Sequence, residues 1–295
     1  MCSNPWHPRV LPFLLYVGCL PLIGFTRDYS HFMIAPLYVI QCGMVVYLLW
    51  RYRRLLPELN IRFHWMAVPM GLGLTVAWIA MGWWMAGEWT LRWEALCNGP
   101  PLALIDYGKL DLKPHDLAES NSHYFADLLK DAPQIAWIVL GLRVAGMSMV
   151  VPLFEELFVR SAVLRGMSSA RQTGIGILQV IHDLPLVGDL LVHTNWGRRI
   201  GTMSPAFTKQ LEETPVGIVT VFGIGASTFL FMLSHGLRDY PGTIACGLVW
   251  CGLLWWTNRP AAKHKLGLGP VVWSHGITNA ALWAYSVWSG DWQFL

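Results

Sequence analysis

Two carboxylates stand side by side, Glu155 and Glu156, with Arg160 four positions beyond the second. They interrupt an otherwise apolar run, Val150-Val151-Pro152-Leu153-Phe154-Glu155-Glu156-Leu157-Phe158-Val159-Arg160. An ionised side chain at the centre of a bilayer helix costs about 2.5–3.5 kcal/mol on insertion scales, so such a cluster needs partners. On a helix Glu156 and Arg160 share a face and can pair. Glu155 points about 100° away and stays available. Solvated charges at a helix end are the simpler alternative. Two more polar positions follow: His235 at the close of Phe229-Leu230-Phe231-Met232-Leu233-Ser234-His235, and the pair His275 and Asn279, four apart and so on one helical face. Taken singly, these are helix-end hydrogen bonding and polar glue between spans. Taken together, a glutamate, two histidines and an asparagine hold what peptide hydrolysis needs, an activated water and a stabilised oxyanion. In that scheme Glu155 with His235 holds and deprotonates the water, and His275 with Asn279 donates to the oxyanion.

The elements that must position these groups are membrane-like. Of 295 residues, 54% are hydrophobic and only 13% charged, with mean hydropathy +0.42. An average soluble domain is about a quarter charged. The 17 Trp suit a chain with two membrane–water interfaces. Apolar segments approaching the roughly 20 residues of a crossing lie near 10–26, 31–50, 65–86, 135–164, 215–237, 241–258 and 270–289. The fourth exceeds one crossing, so it tilts or runs on into the interface beyond Pro152. A weaker stretch at 174–192, interrupted by His182, Asp183 and Asp189, reads as re-entrant, interfacial or an eighth span. The expected fold is all-α: a polytopic transmembrane helical bundle of seven or eight spans around a polar catalytic cavity. Residues 1–295 form one membrane domain, with a motif-bearing core at about 135–289. No cleavable signal peptide is evident.

Alternation of seven spans sets an orientation. Arg51, Arg53, Arg54 and Arg62 follow the second span and fall on the cytoplasmic side by the positive-inside rule. Arg9, the basic 165–214 segment, Arg259, Lys263 and Lys265 then fall inside, and the acidic 88–133 segment outside. Cys2, Cys19, Cys42, Cys97, Cys246 and Cys251 include no C-x-x-C pair and read as small core or lipid-facing residues, not as a disulfide frame or metal site. The net charge of +3 suggests no nucleic-acid partner. One tension comes with this topology. The spans bearing His235 and His275 run parallel, yet His235 ends its span and His275 begins its own. At 1.5 Å per residue their depths differ by roughly 10 Å, unless the helix limits differ or 241–258 is re-entrant.

Three patterns carry a family resemblance: E-E-x-x-x-R at Glu155, Glu156 and Arg160, F-x-x-x-H at Phe231 and His235, and H-x-x-x-N at His275 and Asn279. Their order and spacing resemble the CPBP family, which includes the type II CAAX prenyl endopeptidases and bacteriocin-processing or immunity-type relatives. The resemblance covers about 140 residues, from the 140s to the C-terminus. It implies an intramembrane, glutamate-dependent endopeptidase acting on a membrane-associated protein or peptide, with no cofactor. Glu155 would be the base, His235 its water-binding partner, and His275 and Asn279 the oxyanion site; Glu156, Arg160 and Phe231 would support them. The run Arg9-Val10-Leu11-Pro12-Phe13-Leu14-Leu15-Tyr16 and the Val150–Arg165 context are most similar to CAAX-protease-related proteins that accompany exosortase sorting systems. That narrower likeness implies a multi-pass protein of a bacterial inner membrane, with exosortase system components as partners. The 165–214 insertion departs from the family pattern.

Two other readings stand beside this one. Glu155, His235 and His275 are also a set that can hold zinc, although H-E-x-x-H and H-x-x-E-H are absent. Activity that survives strong chelators separates the two. A non-catalytic scaffold, a regulatory relative or a transporter would also carry intramembrane charges. In those, Glu155→Gln would alter binding or transport without affecting cleavage of any protein.

Overall fold

The computed structural model describes residues 4–27, 33–84, 128–236, 239–262 and 265–294. Among them every regular element is helical. The helices are α1 (His7–Arg27), α2 (Ile34–Tyr52), α3 (Ala67–Trp84), α4 (Pro133–Gly166), α5 (Ala170–His182), α6 (Val187–Leu191), α7 (Asn195–Gly201), α8 (Ala206–Glu213), α9 (Val221–Leu233), α10 (Tyr240–Asn258) and α11 (Gly269–Ser289). Each of the seven apolar segments coincides with one of α1, α2, α3, α4, α9, α10 and α11. Among the described residues α3 and α4 are long and apolar enough to cross a membrane, and α9 is a shorter apolar helix. The acidic 88–133 segment lies outside the described residues up to 127. Cys19, Cys42, Cys246 and Cys251 are free thiols.

The weak stretch at 174–192 is not one crossing. Here α5 ends at His182, a turn follows, and α6 spans only Val187–Leu191. Pro185 cannot continue a helix, and Leu186 sits at φ 67°, a left-handed conformation unusual for a residue with a side chain. Of the three readings of this stretch, a single spanning helix is the one the structure does not form; the chain here is a broken pair of short helices. Segment 241–258 lies within one unbroken helix of 19 residues, α10.

At 34 residues, α4 is about 51 Å long, well beyond a hydrocarbon core of about 30 Å. It survives an internal proline by changing its winding. Residues Gly146–Val150 and Leu157–Val163 are π-helical, and Val151–Glu156 between them is α-helical. At the first π turn the Val151 N–H reaches back five residues to the Gly146 carbonyl. Pro152 has no N–H to offer the carbonyls that precede it. Met147 O thus loses its α-helical partner, Val151, and has no amide at the next position. That carbonyl accepts instead from Asn279 Nδ2 of α11 at 2.8 Å. Irregular winding of this kind is common where a helix carries function.

The remaining helices pack around α4 and α11. Arg9, Phe13 and Tyr16 form one face of α1. Phe13 stacks on Phe158 with ring centroids 4.1 Å apart, and Tyr16 meets Phe154 at 4.6 Å. Helix α11 meets α3 closely: a Cβ on Gly71 would lie 2.8 Å from the Ser274 carbonyl, and Thr278 Oγ1 donates to Gly71 O at 3.1 Å. It meets α4 as closely, because a Cβ on Gly276 would lie 2.5 Å from Ser148 O.

One end of the bundle is tied by a buried ionic cluster. The Glu58 carboxylate, in the α2–α3 connection, accepts from Arg9 Nε at 2.6 Å and from Ser161 Oγ at 2.5 Å, with Arg165 Nη1 at 3.5 Å. Arg165 also donates to the carbonyls of Thr214 and Leu211, at 2.6 and 2.5 Å. Beside it the Glu58 carbonyl accepts from Leu268 N at 2.9 Å, and Gly267 N donates to Asn258 Oδ1 at 2.8 Å. The start of α1, the α2–α3 connection, the end of α4, the end of α8 and the α10–α11 connection therefore converge. These are the parts of the chain that carry the bases expected on the cytoplasmic side.

Candidate active site

Helix α4 supplies Glu155, Glu156 and Arg160, and α11 supplies Ser274, His275 and Asn279. His235 lies just past the end of α9, which carries Phe231, and Trp250 lies in mid-α10. The centre of the arrangement is the His275 imidazole. Its Nδ1–H donates to Glu156 Oε1 at 2.9 Å, and its Nε2 lies 3.7 Å from Glu155 Oε2. Because an ionised carboxylate only accepts, Nδ1 carries a proton toward Glu156, and Nε2 is the ring nitrogen that faces Glu155. One ring thus spans two carboxylates that point in different directions from adjacent positions of α4.

Glu156 and Arg160 are fully buried and paired as expected, Oε2 to Nε at 3.4 Å. The guanidinium lies 5.0 Å from the centre of the Phe231 ring and 5.6 Å from that of Trp250, within cation–π range. Glu156 therefore meets a fixed cation on one oxygen and an imidazole N–H on the other. Glu155 is less buried, with 14% of its side chain exposed against 0% for Glu156, which leaves it the carboxylate a water can reach.

His235 is set by its own helix. Its Nδ1–H donates to the Phe231 carbonyl at 2.9 Å, with Ser234 Oγ at 3.1 Å, and a carbonyl can only accept. Nε2 is thereby left as the basic nitrogen of the neutral ring. The Phe231 ring stands 4.7 Å from His235 and 6.2 Å from His275, edge-on to both. Both imidazoles therefore touch one ring, and the 10 Å depth difference expected from helix ends does not separate them. Helix α9 begins only at Val221, and His275 stands six residues inside α11. Trp78 of α3 covers His235 edge-on at 5.9 Å.

The structure brings Glu155, Glu156, Arg160, Phe231 and His275 into one cluster, with His235 beside it across Phe231. Asn279 attaches to α4 about two turns before the carboxylates, through Met147 O. Its amide donates to that carbonyl, from the face of α11 that the four-residue spacing has it share with His275. Trp250 and Ser274 complete the surroundings and were not legible from sequence: one Trp among 17 carries no mark of its place. Gly276, next to His275, was a readable sign of close helix approach. Among the described residues no group of three His, Cys, Asp or Glu is placed to hold a metal ion.

Residues 136–281 match the family model of Rce1-like type II CAAX prenyl endopeptidases. That is just under half of the chain, and it contains every motif residue from Glu155 to Asn279. The matched family is one of membrane-embedded proteases, and the match suggests a CAAX-type intramembrane protease, a peptide hydrolase. No curated protein and no solved structure matches the chain.

Proposed function

We propose that this chain is an intramembrane endopeptidase that uses Glu155 as general base to hydrolyse a peptide bond in a membrane-associated protein or peptide. The observation that carries the reading is the Glu155–His275–Glu156 bridge. It holds one imidazole and one partly exposed carboxylate within 3.7 Å, close enough for a single water to touch both. Glu155 takes the proton of that water as oxygen attacks the scissile carbonyl. The carbonyl oxygen becomes an oxyanion, stabilised by the second N–H of the Asn279 amide, with His235 as the further proton carrier across Phe231. Glu155 then returns the proton to the leaving amine. Glu156 and Arg160 fix His275 and neutralise each other. No metal takes part in this scheme; loss of activity to strong chelators would favour zinc on Glu155, His235 and His275.

The same reading has α1, α2, α3, α4, α9, α10 and α11 crossing a bacterial inner membrane, with the Glu58 end in the cytoplasm. The gathering of basic connections at that end supports it. The likeness of residues 9–16 to exosortase-associated relatives makes exosortase sorting systems the first place to look for substrates.

The test compares the membrane peptidomes of cells carrying wild type and Glu155→Ala at equal protein level. A shortened peptide found only with wild type is expected. Identical peptidomes would overturn the assignment.

A further inference from the structure

We infer that Trp250 is a positioning residue whose indole sets the plane of the His275 imidazole, so that the ring can address both carboxylates of α4. The inference rests on the proposed function for its catalytic consequence, but not for its structural content. The terminal torsion of a histidine is broad. A hydrogen bond at Nδ1 fixes one corner of the ring and leaves its tilt to whatever packs on its face. Trp250 packs there, nearly parallel, with ring centroids 4.4 Å apart and an interplanar angle of 25°. The indole is itself fixed: Trp250 is 1% exposed, and its Nε1–H donates at 3.0 Å to Ser274 Oγ, one residue before His275 on the same helix. Phe231 meets the indole at 5.9 Å and 62°, and closes on the imidazole at 84°. Helix α10 thus grips α11 on both sides of one peptide bond, by a hydrogen bond at Ser274 and a stacked face at His275. A ring turned out of this plane would carry Nε2 away from Glu155 while keeping its bond to Glu156.

The full chain, purified in nanodiscs with isotopically labelled histidine, reports this directly. His275 signals are assigned by their loss in His275→Gln. In wild type one set of upfield-shifted His275 ring signals is expected, from the indole ring current. Trp250→Phe keeps a stacked ring and should keep a single set; Trp250→Leu should give broadened or multiple sets, with the His235 signals unchanged. On a substrate found through Glu155→Ala, Trp250→Leu should lower kcat about 10–100-fold at little-changed KM, and Trp250→Phe should restore most of it. Ser274→Ala, which leaves the core filled and frees only the indole N–H, should act in the same direction and decides the matter if Trp250→Leu does not accumulate. A His275 spectrum unchanged by Trp250→Leu or Ser274→Ala overturns the inference, as does a disordered His275 with unchanged kcat. If wild type itself processes nothing, the protease reading fails while the spectra still judge the positioning.

Discussion

At the scale of single residues, the site is governed by charges that have no water to fall back on. Arg160 is the clearest case. Its guanidinium is 0% exposed and meets one carboxylate oxygen and two ring faces. Removing it leaves Glu156 buried without its cation, and breaking a buried pair costs about 3–5 kcal/mol. Arg160→Ala is therefore expected to lower thermal stability and membrane accumulation first, with processing per folded molecule less affected. Intact accumulation with lost processing would instead put Arg160 in contact with the chemistry. The types of these residues were legible in the sequence, and so was the Glu156–Arg160 pair, because a four-residue spacing is a local property. The junction of His275 with Glu156 was not, since it depends on how two helices meet, 119 positions apart.

At the scale of helices, the informative element is the proline-bearing stretch of α4. A proline inside an apolar run reads from sequence as a kink or a break, yet α4 passes through it in one piece by shifting to five-residue bonding. That choice requires a partner for the freed Met147 carbonyl, and the partner lies on α11, so no local pattern could announce it. The helix positions themselves were readable, because each apolar segment is long enough to dominate its window. Their register against one another was not. Asn279→Ala withdraws the donor from Met147 O, and stranding a buried acceptor costs about 1–3 kcal/mol. Under the proposed function it also removes one oxyanion donor, worth about 10²–10³ in rate. Both a lower unfolding midpoint in detergent and a rate loss of that size are expected. A lower midpoint at unchanged rate would make Asn279 a fastener alone.

At the scale of the whole molecule, Glu58 holds together connections that are far apart in the chain. Arg9 and Arg165 are the cations around it, with Arg9 bonded closely and Arg165 more loosely. Burial alone would push its carboxyl up; hydrogen bonding and charge from Arg9, with the Ser161 hydroxyl, outweigh this and hold it below the usual carboxylate range. A carboxyl lowered in the folded state stabilises the fold fully above its unfolded value, about 4.3. It gives that stabilisation up as pH falls through the lower folded value. Unfolding midpoints measured from pH 7 down to pH 3 should show wild type falling toward Glu58→Gln as the carboxyl protonates. At pH 7 the variant should sit about 3–5 kcal/mol lower, with two guanidinium groups left facing each other. A constant gap across that range would exclude the carboxylate as its source. Arg9 was visible in the sequence only as one more inside-facing base, because its partner belongs to a different connection. The bolt between α4 and α11 has a consequence for traffic. Sliding these two helices by one turn, about 5.4 Å, would unplug Asn279 from Met147 and drive Gly276 off the Ser148 carbonyl. Under the proposed function, a polypeptide that reached the twin carboxylates through this seam would first have to break both contacts, so entry by another door is expected.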